Sequence, residues 1–302
     1  MRYDMELQEI FENFMSAKRL AGLADKSLYN YDLFIHSFVN FIGSQTSLSD
    51  LTQERVNRYI SMLYDKPISR ATLATYIRNL KVFLRWIEKK YGLSFSAREI
   101  VIPRTPKKLL RIYSDDEIFL IFKTIKVESP WLTARNKAIV SVMLDSGLRQ
   151  NEVCTIKRCD ISLADRMVKV FGKGSKERIV PLGSLSAHYI QDYLNLCPYD
   201  SIRLFVSRTG KELTCNAVKH MMFSIQRKLP FEFSSHKLRH NFATNYCIDQ
   251  YEKTGQIDIY KLMLLMGHED IETTRVYLHH ANQIIVSKMN ISHLDKVFFG
   301  EN

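Results

Sequence analysis

Residues 265–277 read LMGHEDIETTRVY, and they are the most informative stretch of the 302-residue chain. A Gly-His pair stands near its start, and nine residues after that histidine comes a tyrosine in the pattern Thr-Thr-x-x-Tyr. Other short polar motifs precede it in the second half of the chain. In order they are Gly147-Leu148-Arg149-x-x-Glu152, Gly172-Lys173-Gly174-x-Lys176-x-Arg178 and His236-x-Leu238-Arg239-His240.

These motifs supply two arginines, a lysine, several histidines and one tyrosine, and no cluster of chelating carboxylates accompanies them. The nucleotide-binding pattern Gly-x-x-x-x-Gly-Lys-[Ser/Thr] is absent as well. A phosphodiester attacked by a side-chain hydroxyl without a metal needs such a set. Cations neutralise the non-bridging oxygens, an acid protonates the leaving oxygen, and a nucleophile is held in line. The motifs therefore predict phosphodiester cleavage with no metal and no cofactor.

At these residues the chain resembles the tyrosine recombinase (phage integrase) family, especially its short Xer-type members. The family pattern is Leu-x-Gly-His, a variable loop and Thr-Thr-x-x-Tyr, which residues 265–277 follow. The resemblance covers nearly the whole chain. It implies a mainly α-helical fold with a small β-sheet in the catalytic domain. A helical core-binding (SAM-like) domain and the catalytic domain would together form a two-domain clamp on duplex DNA.

The resemblance also implies a reaction, the site-specific cleavage and rejoining of DNA. Tyr277 would attack the scissile phosphate and form a 3′-phosphotyrosine, while Arg149 and Arg239 would neutralise the developing charge. The phosphotyrosyl bond conserves the energy of the broken bond, so the reaction would require neither ATP nor a metal.

Three further residues, Lys173, His236 and His268, receive roles from the resemblance. Lys173, at the tip of a predicted hairpin, would protonate the leaving 5′ oxygen, and Lys176 is its nearest competitor. His236 would act as a general base or as a hydrogen-bond donor to the phosphate, and His268 would assist. His240 is interpreted as structural.

Taken alone, each motif also has an ordinary interpretation. An arginine after Gly-Leu is often a surface ion pair, and a lysine at a hairpin tip is often simply solvated. The chain has 15 tyrosines, and only the flank of Tyr277 singles it out. Two rival functions are a type IB topoisomerase, which uses similar chemistry on one duplex, and a DNA-binding protein without catalysis.

The distribution of charge indicates where DNA would bind. The net charge is +11, and residues 67–111 hold eleven Lys or Arg against two acidic residues. Within the helix predicted at 70–91, four cations share one stripe that lacks acidic partners, which favours DNA contact over a solvated face. This basic stripe consists of Arg78, Lys81, Arg85 and Lys89. In the second half, Lys176 and Arg178 are further predicted DNA contacts.

Hydrophobic periodicity and turn residues divide the chain into domains. Residues 1–95 predict a helical DNA-binding domain, and 96–113, basic and containing two prolines, predict a linker. The segment 114–302 predicts the catalytic domain, with strands at 167–171 and 177–182. Separate helices are expected at 270–278 and 281–298, and the latter would carry Ile284, Ile285, Met289 and Leu294 on one side.

Duplex DNA is the predicted partner, bound by a tetramer of this chain or by this chain with a paralogous recombinase. The tail, 281–302, could dock onto a neighbouring copy or fold back onto its own core. Five scattered cysteines fit reduced thiols. No apolar run approaches the length of about 18 residues that spans a bilayer, and the acidic, amphipathic start does not look like a signal peptide. The expected compartment is the cytoplasm.

Overall fold

The computed structural model of the chain describes residues 5–92, 96–105, 111–172, 177–288, 294, 297 and 298. The chain divides into two compact units, Met1–Lys108 and Leu109–Asn302. Each unit has its own buried core.

The first unit contains four α-helices and one short 3-10 turn at Leu48–Asp50. Side-chain caps start two of the helices: Thr52 accepts from the backbone N–H of Arg55, and Ser69 accepts from that of Thr72. The helices are α1 (Leu7–Leu20), α2 (Asp25–Ile42), α3 (Gln53–Asp65) and α4 (Arg70–Tyr91).

Aromatic side chains form the centre of this unit. The ring of Phe83 on α4 meets Phe14 on α1 edge to face, with centroids 5.1 Å apart, and meets Phe38 on α2 at 6.5 Å. The predicted apolar face of α4 is buried against the same core. Its members are Leu73, Ile77, Leu80, Leu84 and Ile87.

The segment after α4 lies in the linker expected at 96–113, and the division between the two units, at 108 and 109, falls within it. Ala97 and Ile100 are buried in the core of the first unit. The backbone N–H of Ala97 donates to Glu88 Oε1 at 2.6 Å, so a side chain of α4 holds the segment from nine residues away. At the other end, Tyr113 is buried in the core of the second unit. Both ends of the expected linker therefore belong to packed units, because each carries apolar side chains that the two cores bury.

The second unit begins with a complete capping box, in which Ser114 and Glu117 satisfy each other's backbone N–H groups. Its central helix, Pro130–Ser146, is buried on nearly all sides. For this reason the apolar residues of that helix are not confined to one face. The first five helices of this unit are α5 (Asp115–Thr124), α6 (Pro130–Ser146), α7 (Gln150–Thr155), α8 (Ser184–Leu196) and α9 (Cys215–Gln226).

A three-stranded antiparallel sheet follows α7, in the order β1-β2-β3. The strands are β1 (Ile161–Ser162), β2 (Met167–Phe171) and β3 (Glu177–Pro181). Val168 pairs with Val180, and both are buried, as is Val170. The sequence predicted β2 and β3 but not β1, because two residues are too few to show a period-2 alternation. The turn between β2 and β3, residues 173–176, lies outside the described residues.

Three helices share a second, smaller core: α10 (Ser235–Thr254), α11 (Ile259–Met266) and α12 (Ile271–Lys288). A single helix, α12, replaces the expected break between 278 and 281. Ile285 is buried in this core and Ile284 packs against it, whereas Leu294 is exposed. Met289 lies outside the described residues. The tail therefore begins beyond α12, since its first apolar residues belong to the fold of their own unit.

The described residues lack two features, a membrane-spanning helix and a cluster of metal-binding side chains. None of their helices has both the length and the apolar character to cross a membrane. Nor do three or more of their His, Cys, Asp and Glu side chains gather where they could hold a metal ion.

Candidate active site

The turn between α6 and α7 presents Arg149. Gly147 follows the last residue of α6 with φ of 62°, and Arg149 then stands as the N-cap of α7. A Cβ on Gly147 would overlap the ring of Phe242 on α10, so only glycine allows the turn to approach that helix. This close approach fixes the direction in which the Arg149 side chain leaves the backbone.

The carboxylate of Glu152 holds Arg149 in place. It accepts from the Arg149 backbone N–H at 2.8 Å and from Arg149 Nη1 at 3.0 Å. Arg149 Nη2 donates to the carbonyl oxygen of Gly267 at 2.8 Å. The Arg149 side chain is nonetheless 38% exposed, so part of its guanidinium remains accessible to a bound anion.

Arg178, which the sequence predicted as a DNA contact, binds the same carboxylate. Its Nη1 and Nη2 donate to the two oxygens of Glu152 at 2.8 and 2.9 Å, and its Nε donates to the carbonyl of Leu265 at 2.8 Å. The side chains of Arg178 and Glu152 are only 12% and 3% exposed. Each nitrogen of this guanidinium is therefore bonded inside the protein, because the fork of Arg178 matches the carboxylate of Glu152.

Glu152 is ionised despite its burial. Burial raises the pKa of its carboxyl, but the hydrogen bonds and charges of Arg178 and Arg149 outweigh that effect and hold the pKa below its usual value. The pair of arginines and the buried carboxylate thus form a fixed unit that places a partly exposed cation, Arg149, at the surface.

Arg239, on the first turns of α10, is the second cation of the site and is only 5% exposed. Its Nη1 donates to the carbonyl of Gly147, and its Nη2 donates to the carbonyl of Met266 at 2.5 Å. Burial and the nearby charge of Arg149 lower the pKa of Arg239 to about 10, so it remains a cation at neutral pH. Arg149 and Arg239 converge because Arg239 bonds to Gly147, in the turn that presents Arg149, and both arginines bond to carbonyls of the turn at 266–267.

His268 follows the left-handed Gly267 that ends α11. Its Nε2 accepts from Arg239 Nη2 at 3.1 Å, because a guanidinium only donates. The ring proton is therefore on Nδ1, which donates to Thr274 Oγ1 at 2.8 Å. Burial, followed by the charges of Arg239 and Arg149, lowers the pKa of His268 to about 4, so the ring is neutral at neutral pH.

Tyr277 lies on α12, three residues after Thr274, and is 5% exposed. Its ring is nearly parallel to that of His268, with centroids 6.2 Å apart and an angle of 16°. Its hydroxyl oxygen lies 2.7 Å from His240 Nδ1. Burial raises the pKa of Tyr277, and the charges of Arg239 and Arg149 oppose that rise.

The two remaining histidines of the motif differ in position. His236 is exposed at the start of α10, and its ring centroid is 6.5 Å from that of His240. Within the described part of the chain, the ring of His236 forms no hydrogen bond with another residue. His240, interpreted from sequence as structural, instead touches the hydroxyl of Tyr277.

The structure thus brings together Arg149, Arg239, His268 and Tyr277, and it places His236 at the edge of this group. We call these five residues, with His240, the catalytic cluster. Lys173 and Lys176 lie outside the described residues. The cluster can hold an anion between two guanidinium groups and beside a tyrosine hydroxyl, which is the arrangement that phosphoryl transfer to tyrosine needs.

The predicted basic stripe lies on α4 in the first unit. Arg78, Arg85 and Lys89 are exposed there, as a phosphate-binding role requires. Lys81 differs, because its Nζ donates to the carbonyl oxygens of Arg98 and Ile100 at 3.2 and 2.6 Å. It therefore holds the chain segment that follows α4.

Sequence reasoning missed two contacts of the catalytic cluster, those of His240 and of Thr274. A signal for His240 was present, because a helical period places it on the same face of α10 as Ala243 and Cys247, which pack against α12. Thr274 belongs to the Thr-Thr-x-x-Tyr motif, but its bond to His268 depends on the turn between α11 and α12.

Sequence comparison identifies both parts of the chain. The pattern of the "Phage integrase family" matches residues 111–283, and that of the "Phage integrase, N-terminal SAM-like domain" matches residues 10–100. The chain is 29% identical to tyrosine recombinase XerD of Oceanobacillus iheyensis over 286 residues, which cover 90% of this chain and 92% of the relative. It is 30% identical to tyrosine recombinase XerC of Halalkalibacterium halodurans over 268 residues, or 84% and 86% of the two chains.

Solved structures share the fold. The XerH site-specific recombinase bound to palindromic difH substrate, in a post-cleavage complex, superposes with a TM-score of 0.71 at 23% identity, covering 93% of this chain and 83% of that one. A lambda integrase (75–356) dimer bound to a COC′ core site gives a TM-score of 0.70 at 18% identity, with coverage of 90% and 95%.

These comparisons confirm the fold class and the family predicted from the sequence motifs. They do not favour the topoisomerase or the catalytically inert DNA-binding protein as alternatives. The chain therefore belongs to the phage integrase family: it is a Xer-type tyrosine recombinase, an enzyme of site-specific DNA cleavage and rejoining.

Proposed function

We propose that Tyr277 is the nucleophile that cleaves DNA and becomes a 3′-phosphotyrosine. The observation that carries this proposal is the placement of one tyrosine hydroxyl within the cluster of Arg239, His268 and His240. Two cations lower the pKa of this hydroxyl against the effect of burial, which makes the phenolate more accessible than burial alone would.

Arg149 and Arg239 would bind the non-bridging oxygens of the scissile phosphate. Arg239 is preorganised, because carbonyl oxygens and His268 fix its plane before DNA arrives. Its Nε–H and one N–H on Nη1 form no bond within the described residues, and these donors are available to an anion. A fixed, poorly solvated cation stabilises developing charge without reorganising during the reaction.

Lys173 would protonate the leaving 5′ oxygen, a role that rests on the resemblance of the sequence Gly172-Lys173-Gly174 to the family's motif. His268 would orient Arg239 through its Nε2, and it would itself be oriented by Thr274. No ATP or metal enters this scheme, so cleavage should continue in excess EDTA. Loss of cleavage on chelation and its return with Mg²⁺ would contradict the scheme.

Duplex DNA would be gripped by the exposed cations of the first unit, Arg78, Arg85 and Lys89. The relatives of known structure include complexes with a difH substrate and with a core site. Exchange of strands needs two DNA sites, so we further propose a tetramer, made of this chain alone or with a paralogous recombinase.

The cytoplasm is the proposed compartment. All five cysteines are free thiols, and burial raises the pKa of Cys154 and of Cys247 to about 12, which keeps both as unreactive thiols. Such thiols suit a reducing compartment. Fractionation of cells that express a tagged chain would test the assignment.

A suicide substrate with a nick near the scissile phosphate tests the nucleophile. Tyr277→Phe should bind this DNA with unchanged affinity and form no covalent complex, because only the hydroxyl is removed. Tyr260→Phe, at an exposed tyrosine of α11, is the matched control and should form the complex normally. Covalent capture by Tyr277→Phe at the wild-type rate would refute the assignment.

A further inference from the structure

One histidine touches the proposed nucleophile. His240 Nδ1 lies 2.7 Å from the Tyr277 hydroxyl oxygen, and the two ring centroids are 5.4 Å apart. The contact is built into the helix pairing, since Ala243 and Cys247, one and two turns further along α10, pack in the same core as Tyr277. His240 therefore stays against the hydroxyl as long as α10 and α12 remain paired.

The other histidines of the cluster are less suited to take the tyrosine proton. Nε2 of His268 is occupied by a hydrogen bond from Arg239, and its Nδ1 already carries a proton that Thr274 accepts. The ring of His236 is exposed, and it forms no hydrogen bond with Tyr277.

The charges around His240 keep it neutral. Burial lowers the pKa of His240 below its usual 6.5, and neighbouring groups lower it further. These neighbours are His236, Lys237 and Arg239 from α10 and His280 from α12, the helix that also carries Tyr277. A neutral imidazole keeps a lone pair on one ring nitrogen, which a proton acceptor needs.

We propose that His240 is the catalytic base that accepts the proton of Tyr277 during DNA cleavage. As the Tyr277 oxygen forms its bond to phosphorus, its proton moves to His240 Nδ1 and the bond from phosphorus to the 5′ oxygen breaks. The leaving oxygen takes a proton from the general acid, assigned above to Lys173. In rejoining, the 5′ hydroxyl gives its proton back to Lys173 as it attacks phosphorus, the bond from phosphorus to the Tyr277 oxygen breaks, and the imidazolium of His240 returns its proton to that oxygen. The inference rests on the proposed role of Tyr277.

The test uses His240→Asn, whose amide can still hydrogen-bond the hydroxyl but cannot take a proton at neutral pH. A DNA substrate with sulfur in place of the bridging 5′ oxygen separates base from acid, because a thiolate leaves without being protonated. On this substrate the Lys173→Ala variant should recover. His240→Asn should remain about 100-fold or more below wild type, since loss of a general base costs that much. His279→Asn, an exposed histidine two residues past Tyr277, is the control.

The pH profile gives a second readout. The wild-type rate should be level from about pH 7.5 to 9, because the lowered pKa of His240 leaves its imidazole neutral there. Without this base the reactive form is the phenolate, so the rate of His240→Asn should rise about tenfold per pH unit over the same range. Unchanged affinity for DNA would show that the variant is folded.

The outcomes separate the two proposals. Capture of the sulfur substrate by Tyr277→Phe would refute the role of Tyr277 and the inference with it. If Tyr277→Phe is inert, a wild-type rate or a level pH profile in His240→Asn would overturn only the assignment of His240. A low rate that rises with pH and is not recovered on the sulfur substrate would establish it.

Discussion

The basic stripe of the first unit and the catalytic cluster of the second both contain cations that we propose bind phosphate, but the two regions hold these cations differently. Arg78, Arg85 and Lys89 are exposed along one face of α4, whereas Arg239 is buried and bonded to two backbone carbonyls and a histidine. A solvated cation contributes affinity that salt screens, because its gain comes largely from released counterions. A buried and oriented cation contributes to the transition state, because its geometry is set in advance. Charge alone therefore does not tell which arginine binds and which catalyses.

Replacing Arg239 should have the largest effect. Arg239→Ala is expected to lower the rate of covalent capture by about 1000-fold, since removing one preorganised donor costs between 100- and 1000-fold and here a full charge is lost as well. Arg239→Lys should recover little, because an ammonium cannot reproduce the planar fork. Single-turnover capture at saturating protein measures this rate. If Arg239→Ala weakened DNA binding without lowering the rate of capture, Arg239 would only bind DNA, as we propose for the basic stripe.

Replacing Arg178 tests an arginine that stabilises the fold by binding a buried carboxylate. Arg178→Met should destabilise the second unit by about 3 kcal/mol, because it leaves the buried carboxylate of Glu152 without its bidentate partner. Arg178 helps to hold the pKa of Glu152 below 4.5, so its stabilisation is present at pH 7 and lost as the pH falls through the folded-state pKa. Denaturant unfolding at pH 7 and at pH 4 measures both effects.

The salt dependence of DNA binding should not change in Arg178→Met, measured under conditions where the variant is folded. Arg178 bonds to Glu152 and Leu265 through all three guanidinium nitrogens, and its side chain is only 12% exposed, so little of the guanidinium is accessible to a phosphate. A reduced slope of log K against log salt would restore the DNA contact that the sequence predicted for it.

Substitutions in the basic stripe should have a smaller effect on DNA binding, to which each substituted residue contributes a share. The double variant Arg85→Ala/Lys89→Ala should lower the slope of log K against log salt by about 2 and weaken binding to all sequences alike. Lys81→Ala is the matched comparison on the same helix. It should leave the slope unchanged and loosen the segment at 96–100, because its ammonium binds the carbonyls of Arg98 and Ile100.

Removing the tail should have the smallest effect on the fold. A chain ending at Lys288 keeps Ile285 in its core and loses the exposed Leu294, Val297 and Phe298, so its stability should change by less than about 0.5 kcal/mol. If the tail docks onto a neighbouring copy, this chain should bind one half-site normally and lose cooperative occupancy of the second. Gel-shift titration on one and two half-sites measures this. Normal cooperativity and normal strand exchange would remove the tail from assembly.

Much of the fold could be read from local patterns. The apolar residues of α4 recur every three or four positions, and those of β2 and β3 every two, as the geometry of helices and strands requires. The capping box at Ser114 is likewise local, because its two side chains are three positions apart. The ends of α12 and the short strand β1 could not be predicted from such patterns. A helix continues or stops according to what it packs against, and two residues carry too little pattern.

The motifs around Arg149, Arg239, His268 and Tyr277 predicted these candidate reactive groups without coordinates, through their resemblance to the tyrosine recombinase family, and the structure places the four side chains near one another. Tertiary structure decided how the other polar residues are used. Arg178 binds a carboxylate 26 positions away, Lys81 binds carbonyls 17 and 19 positions away, and His240 meets a hydroxyl 37 positions away. A lysine, arginine or histidine has several possible partners of similar energy. Only the packing of distant elements brings one of them within hydrogen-bond distance and excludes the others.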